Sequence, residues 1–157
     1  LDGRIDAILD GGTCAVGVES TIVGFEPVPT LLRPGGIPLE ALEDCLGKSL
    51  AAHTSHTINA PGQLLSHYAP KAALRLNAST VSSDELLIGF GVSNGPASLN
   101  LSPSADLVEA AANLFHYLRV ADDLAGSDGK IAVSPIPEKG LGRAINDRLR
   151  RATAPRT

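Results

Sequence analysis

Short apolar runs separated by breaks characterise the first third of the chain. Runs rich in β-branched and other apolar residues, at 5–9, 20–25 and 30–32, are separated by Gly-Gly, proline and charged residues. Such runs are typical of strands joined by tight connections. Residues 38–47 open with proline, carry acids in the first turns and end in glycine, which predicts a short helix. We therefore expect residues 1–47 to contribute strands and one helix to an α/β domain.

The periodic pattern stops between residues 48 and 71. This stretch consists mainly of Ala, Ser, Thr, His, Pro and Gly, and no helical or strand period is sustained across it. Long stretches without periodicity inside a compact chain are usually functional loops or linkers. We predict that residues 48–71 link two domains.

A different pattern, in which strands alternate with helices, begins after Lys71. Apolar runs predict strands at 73–76, 85–90, 97–101 and 130–134. Apolar residues at helical spacing predict two amphipathic helices, one carrying Leu107, Ala111, Leu114, Phe115 and Leu118, the other Leu141, Ala144, Ile145, Leu149 and Ala152. Ser104 is placed to cap the first of them. The alternation predicts a three-layer α/β domain with a largely parallel sheet.

Composition narrows the class of protein. The 157 residues carry a net charge of −4, which argues against a surface built mainly to hold nucleic-acid backbones. Cys14 and Cys45 lie too far apart for a paired-thiol metal motif, so we interpret them as buried or incidental thiols in a reducing compartment. The sequence contains neither a long apolar span nor a leader pattern, and we expect a cytoplasmic protein with no membrane partner. Methionine is absent and the chain opens within an apolar pattern, so we expect a piece of something longer.

Two segments near the N-terminus could bind anions. GVESTIV at 17–23 sets the hydroxyls of Ser20 and Thr21 at the entry of a strand, where they could meet phosphate or carboxylate oxygens. Arg33 stands just before a Pro-Gly turn, and a guanidinium fixed at a strand end could clamp an anion. The alternatives are an ordinary strand-entry turn for the hydroxyls and a surface salt bridge for Arg33. Spacing alone leaves both pairs of alternatives open.

The linker contains one further candidate, a histidine beside an aromatic residue. His67 and Tyr68 lie between Pro61 and Pro70, and the prolines stiffen the segment as a lid would require. The alternative is a docked linker in which both rings simply pack.

Three other features indicate function more weakly. GFGVSNG at 89–95 approaches a dinucleotide-binding motif, but its third glycine comes one place late and a strand is predicted to follow. The group His53, His56, His67 and Cys45 matches no familiar zinc spacing. A final set of basic residues could contact RNA, although cations near a helix C-terminus are also favoured by the helix dipole: Arg143, Arg148, Arg150 and Arg151.

Taken together, five segments resemble the long form of threonylcarbamoyl-AMP synthase. They are LDGG at 9–12, GVEST at 17–21, LRPGGI at 32–37, SHYAP at 66–70 and GLGRAINDRL at 140–149. In that family a YrdC-like catalytic domain is joined by a linker to a Rossmann-like domain. The resemblance implies the end of a YrdC-like α/β domain at 1–47, an interdomain linker and active-site lid at 48–71, and a small Rossmann-like accessory domain at 72–157.

The resemblance also implies an activity and roles for named residues. L-threonine, bicarbonate and ATP would give threonylcarbamoyl-AMP and pyrophosphate, and a tRNA threonylcarbamoyl transferase would use the product downstream. Ser20 and, with a weaker claim, Thr21 would bind L-threonine, Arg33 would bind ATP phosphate, and His67 with Tyr68 would belong to the lid. ATP would be a substrate, accompanied by Mg²⁺. No catalytic side chain and no metal ligand is implied within this chain.

The sequence departs from the family pattern in two ways. Ala60, Gln63 and Leu65 replace the serine, methionine and first tyrosine that the family linker usually carries. The family's N-terminal strands, with their Lys and Arg residues for ATP and threonine, have no counterpart here, so we expect this chain alone to be inactive and residues 1–47 to leave an apolar face uncovered.

One alternative belongs to a different functional class. The chain could be a non-enzymatic regulatory module whose C-terminal domain binds RNA or a protein. The enzyme hypothesis requires Ser20, Arg33 and His67 to converge on one pocket, whereas the module hypothesis does not.

Overall fold

The structure is a computed structural model, and it describes residues 3–12, 14–53, 60–61, 69–92 and 98–154. The elements in chain order are β1 (Ile22–Gly24), β2 (Thr30–Arg33), α1 (Leu39–Leu46), β3 (Ala51–Ala52), β4 (Ala73–Arg75), β5 (Glu85–Gly89), β6 (Leu99–Asn100), α2 (Leu107–Ala125), β7 (Lys130–Val133) and α3 (Gly142–Thr153). They form a three-stranded sheet in the order β1-β2-β3 and a four-stranded sheet in the order β4-β7-β5-β6. The predicted α/β class is confirmed.

The first sheet is small and carries the candidate anion-binding residues at one end. β1 runs antiparallel to β2 and places Ile22 opposite Arg33, while β2 runs parallel to β3. β1 is shorter than the predicted strand at 20–25, because the backbone just before it bonds to the turn after β2 instead of to a neighbouring strand, as in the bond from Gly36 N to Glu19 O.

The strand predicted at residues 5–9 is wrong. These residues pair with no strand in the described part of the chain, and Ile8 and Leu9 are 76% and 100% exposed. An apolar β-branched run forms a strand only where a neighbour supplies backbone partners and a surface to cover the side chains. Among the residues that the structure describes, neither lies beside this run.

Helix α1 confirms the short helix predicted at 38–47. Pro38 precedes its first turn, and Gly47 ends it with a φ of 65° in the left-handed region, donating its N–H to Glu43 O. Glycine adopts this conformation without the cost that a Cβ would add. The positions of proline and glycine in the sequence thus set both ends of this helix.

The second sheet is parallel throughout, as expected. Its central strand β7 pairs with both β4 and β5, and β6 extends the sheet beyond β5. Side chains of one face, including Ile88 and Ile131, share a buried core with Leu114 of α2 and Ile145 of α3. The opposite face contributes a smaller buried cluster of Ala78, Leu87 and Ala132. Both long helices therefore belong to the core on one face of the sheet.

The N-terminal cap of α2 differs from the prediction. Asp106, not Ser104, is the cap, and its Oδ1 accepts hydrogen bonds from Val108 N at 2.7 Å and Glu109 N at 2.9 Å. Ser104 lies too early, because the first helical residue is Leu107 and the cap must stand immediately before it. The Ser104 hydroxyl bonds instead with the side chain of Ser102.

Two whole-chain expectations can be compared with the described residues. Within these ranges no helix is both long enough and apolar enough to cross a membrane. Cys14 and Cys45 are free and exposed, so the interpretation of these thiols as buried is wrong, and they are incidental surface residues.

Candidate functional site

Arg33 and Ser20 lie in direct contact where β2 ends beside the entry to β1. The Arg33 side chain donates from Nε and Nη2 to Ser20 O at 3.2 and 2.9 Å, and from Nη2 to Ser20 Oγ at 3.2 Å. Arg33 is only 8% exposed. The surface salt bridge considered for Arg33 is wrong, because this side chain is buried and pairs with no carboxylate among the described residues.

The interdomain linker also reaches this guanidinium. Arg33 Nη1 donates to Pro61 O at 3.0 Å, and neighbouring Ala60 is buried. The segment around Ser20 and the linker therefore both contact Arg33. The lid residues His67 and Tyr68 lie outside the described residues, as do Gln63 and Leu65.

Thr21 has a different environment from Ser20. Its hydroxyl donates to Ile37 O at 2.7 Å and accepts from Ile37 N at 3.0 Å, so one side chain satisfies both backbone groups of that residue. The hydroxyl therefore ties the strand entry to the turn after β2. This is the structural alternative considered for the motif, and binding of L-threonine by Thr21 stays a prediction.

The turn at residues 34–37 closes tightly over the strand entry. A Cβ on Gly35 would stand 2.3 Å from Glu19 O and 2.4 Å from Thr21 N. Gly36 N donates to Glu19 O at 2.9 Å. Any side chain larger than hydrogen at position 35 would push the turn away, so glycine is required there for Arg33 and Ser20 to remain in contact.

Arg148 of α3 is a residue that the sequence analysis assigned wrongly. Its Nε and Nη2 donate to Glu19 Oε2 at 2.9 and 2.8 Å, and its Nη1 donates to Pro34 O at 2.8 Å. At 1% exposure it is neither solvated nor free to contact RNA. A signal was present in the spacing, because Arg148 follows Ile145 by three positions and so falls on the apolar face of the helix.

The other arginines of this helix also have acidic partners. Arg143 pairs with Glu40 at 2.9 Å, Arg150 with Glu138 at 2.6 Å and Arg151 with Asp147 at 3.1 Å. The first of these pairs is a second link between α3 and the N-terminal segment. The backbone N–H of Glu40 itself, and then the Arg143 guanidinium, hold the pKa of the Glu40 carboxyl below its usual value.

The weaker motifs gain no support from the described geometry. The strand β6 follows the glycines at 89–91, where a dinucleotide site would need a helix. The described ranges contain no cluster of three or more His, Cys, Asp or Glu side chains able to hold a metal ion. The candidate ligands His56 and His67 are outside those ranges. The described residues thus supply no ligand set for zinc or for Mg²⁺.

A groove of about 580 Å³ lies beside the turn, between the N-terminal segment and the C-terminal domain. It is lined by Val16, Gly36, Pro38, Ala105, Asp106, Leu107, Val108 and Leu141. Its walls are mainly apolar, and Arg33 and Ser20 are not among them. The groove is therefore separate from the contact between Ser20 and Arg33.

Comparison with known proteins identifies what this arrangement resembles. The family model described as "Threonylcarbamoyl-AMP synthase, C-terminal domain" matches residues 37–154. Threonylcarbamoyl-AMP synthase of Pyrococcus abyssi is 35% identical over 172 residues, which cover 96% of this chain and 50% of that protein. The enzyme of the same name from Bacillus subtilis is 32% identical over 99% of this chain and 51% of its own length. The chain thus spans about half the length of the curated relatives it matches.

Solved structures agree with the sequence matches. The crystal structure of Pyrococcus abyssi Sua5 complexed with L-threonine aligns with a TM-score of 0.79 and 32% identity, over 97% of this chain and 50% of that one. A structure of a double-substitution variant of the same protein aligns with a TM-score of 0.78 and 30% identity, over 98% of this chain and 50% of that one. The fold of nearly the whole chain is therefore shared with these proteins.

Proposed function

This chain belongs to the threonylcarbamoyl-AMP synthase family, and on that premise we propose that it supplies the part of the active site that binds L-threonine and ATP phosphate. The whole enzyme would combine L-threonine, bicarbonate and ATP into threonylcarbamoyl-AMP and pyrophosphate. The whole enzyme would need a further N-terminal half, corresponding to the part of the relatives that this chain does not cover. The product would pass to a transferase that modifies tRNA.

The observation that carries this proposal is the buried Arg33 guanidinium held by neutral acceptors. Among the described residues its partners are the carbonyls of Ser20 and Pro61 and the Ser20 hydroxyl. No carboxylate among the described residues neutralises it, so its positive charge is available to an anion. Its hydrogen bonds leave one N–H of Nη1 unused, counting described partners only, and a phosphate oxygen could accept from it.

Ser20 is the proposed contact for L-threonine. Its hydroxyl lies 3.2 Å from Arg33 Nη2, so an amino acid held by Ser20 would lie next to phosphate held by Arg33. The Pyrococcus abyssi relative is known in complex with L-threonine. We assign Thr21 the weaker role, because its hydroxyl already bonds to both backbone groups of Ile37.

The chemistry follows from that juxtaposition. L-threonine and bicarbonate would form a carbamate with loss of water. The carbamate oxygen would attack the α-phosphorus of ATP, and pyrophosphate would leave with the electron pair of the broken P–O bond. The fixed guanidinium of Arg33 would stabilise negative charge on the phosphates as the bond changes. Mg²⁺ would accompany ATP, but no step is assigned to it because the described residues offer no ligand set.

The domain division is proposed in the same form as it was predicted. Residues 1–47 end the catalytic domain, 48–71 form the linker, and 72–157 form the accessory domain. The bond from Arg33 to Pro61 O supports a linker that docks at the site, and His67 with Tyr68 would extend that linker over it as a lid. Because the reaction consumes ATP and serves tRNA, we assign the protein to the cytoplasm.

The test is pyrophosphate release from ATP that depends on both L-threonine and bicarbonate. Release is expected from the protein that joins this chain to an N-terminal catalytic half, and not from the chain alone. Arg33→Lys keeps the charge but loses the planar fork, and should lower kcat/KM for ATP by roughly tenfold or more. Arg150→Ala is the matched control, since its pair with Glu138 is exposed and remote from Arg33. Full activity in Arg33→Lys and Arg33→Ala would refute the assignment.

The alternative, a non-enzymatic module that binds RNA or a protein, predicts a different result. An electrophoretic mobility shift with tRNA would detect RNA binding by the C-terminal domain. We expect no shift near physiological salt, because all four arginines of α3 have carboxylate partners. We call the protein that joins this chain to an N-terminal catalytic half the two-half protein. A mobility shift near physiological salt, combined with no pyrophosphate release from the two-half protein, would favour the module.

A further inference from the structure

We propose that Arg148 is a positioning residue through which the C-terminal domain sets the geometry of the substrate site. The inference rests on the function proposed for Ser20 and Arg33, and it assigns a role to a helix that carries none of the proposed substrate contacts. Arg148 touches neither of those two residues directly. It holds the residue next to each.

The contacts of Arg148 reach both strands of the site. One edge of its guanidinium, Nε and Nη2, binds a single carboxylate oxygen of Glu19, which precedes Ser20. Nη1 binds the carbonyl of Pro34, which follows Arg33, at 2.8 Å. One rigid planar group therefore fixes the backbone after Arg33 relative to the side chain before Ser20.

The guanidinium is itself held in orientation. Its Nη1 also donates to Asp147 Oδ2 at 2.7 Å, and Asp147 accepts from both Nε and Nη2 of Arg151 at 3.1 Å. The Arg148 side chain is almost completely buried. Because four of its N–H groups bond to partners in fixed directions, the group cannot turn without breaking ion pairs or the bond to Pro34.

The same stretch of chain is also pressed against α2. Gly17 has a φ of 68°, and a Cβ there would stand 2.3 Å from Ala111 O. Val16 and Val18 pack against the core of the C-terminal domain. The segment leading to Ser20 therefore lies on α2 and is clamped to α3, so a shift of either helix would move the serine.

Small displacements matter at such a site. Reacting groups must be held within a few tenths of an ångström, and a displacement of about 1 Å can cost a large factor in rate. The bond from Arg33 Nη2 to Ser20 Oγ, at 3.2 Å, depends on the two segments that Arg148 joins. Loss of the clamp would let them separate and weaken binding of both substrates together.

A purely structural ion pair is the alternative. Removing one partner of a buried pair usually destabilises the protein whatever the pair does for a nearby site. A positioning role predicts in addition that substrate binding changes in variants that remain folded. Kinetics and stability must therefore be measured on the same proteins.

The experiment uses the two-half protein and compares Arg148→Lys, Glu19→Gln and the control Arg150→Lys. Arg150 lies on the same helix, but its side chain bonds only to exposed Glu138 among the described residues. Lysine at position 148 keeps the charge, but its single ammonium nitrogen, with three N–H groups, cannot reproduce the four hydrogen bonds of the planar guanidinium. We expect the KM values for L-threonine and for ATP both to rise roughly tenfold, with kcat changed by less than about threefold. Arg150→Lys should match the wild type.

The double variant Glu19→Gln/Arg148→Lys separates the two explanations further. If both single variants lose the same contact between Arg148 and Glu19, the double variant should have KM values no higher than those of the worse single variant. Independent sites would not show this non-additivity. Unchanged KM values in folded Arg148→Lys and Glu19→Gln would overturn the inference, even if their melting temperatures fall. Should Arg148→Lys fail to fold, Glu19→Gln decides the matter alone. A wild-type protein without threonine-dependent pyrophosphate release would refute the proposed function itself, and this inference with it.

Discussion

At the scale of single residues, two buried arginines differ in their hydrogen-bond partners. Arg33 is held by carbonyls and a hydroxyl, whereas Arg148 is held mainly by carboxylates. The first arrangement leaves a positive charge uncompensated within the described residues, and the second neutralises it. A guanidinium with neutral partners suits an incoming anion, while one paired with acids suits a structural clamp.

The sequence singles out Arg33 as a candidate anion-binding residue, but it does not indicate the buried contacts of Arg148. The turn that follows Arg33, and the small residues around it, could be read directly from the LRPGGI motif. The partner of Arg148 lies 129 positions earlier in the chain, at Glu19. A charge pattern within one helix cannot indicate a partner that only the tertiary fold brings near, so the helix dipole was the available explanation.

Thr21 provides a prediction at this scale. Thr21→Val should destabilise the protein by roughly 1–3 kcal/mol, because the Ile37 N–H and C=O both lose their partner. Thr21→Ser keeps the hydroxyl and should cost much less. Chemical denaturation measures both. A Thr21→Val protein of unchanged stability but with a raised KM for L-threonine would show instead that Thr21 contacts substrate.

At the scale of elements, the predictions are correct where an apolar period and a residue that ends the element occur together. The strands β4, β5 and β7 and the helices α1, α2 and α3 fall close to their predicted positions, because each combines an apolar period with a terminating residue. The strand predicted at 5–9 is wrong, because apolar residues alone do not show whether a neighbouring strand is present to pair with them. The predicted cap of α2 is wrong by two positions. Ser104 and Asp106 are both residue types that cap helices, and the local backbone conformation decides between them.

The cap gives a prediction at this scale. Asp106→Ala should destabilise the protein by about 1 kcal/mol, since two N–H groups of the first turn of α2 lose their acceptor. Ser104→Ala is the matched control and should cost less, because its hydroxyl caps no helical N–H in the described structure. Thermal unfolding compares the two variants. A larger loss from Ser104→Ala would contradict the assignment of the cap.

At the scale of the whole molecule, the N-terminal segment contacts the C-terminal domain through ion pairs and apolar packing, and it also carries exposed apolar side chains. Glu19 and Glu40 pair with α3, while Leu9 is fully exposed and Phe25 is 62% exposed. Exposed apolar side chains are therefore present in residues 1–47, where an uncovered apolar face is expected. A surface of this kind is suited to packing against further protein, and the chain spans about half the length of its relatives.

The sequence pattern predicts a division of the chain, but it does not predict the contacts between the parts. The loss of periodicity after residue 47 and its return after Lys71 indicated two units joined by a linker. The two parts meet where Gly17 lies against α2 and where Arg148 bonds to Glu19. Those contacts join positions more than ninety residues apart, and no local pattern encodes them.

Binding of L-threonine, measured by isothermal titration calorimetry, tests the central claim most directly. We expect the two-half protein to bind L-threonine. Binding should be weakened roughly tenfold or more in Ser20→Ala, which loses a hydrogen bond of about 1–2 kcal/mol at the proposed contact. The control Ser104→Ala, remote from Ser20 in the chain and placed at the start of α2, should bind as the wild type does. Equal affinity of Ser20→Ala and wild type would contradict the assignment of this site.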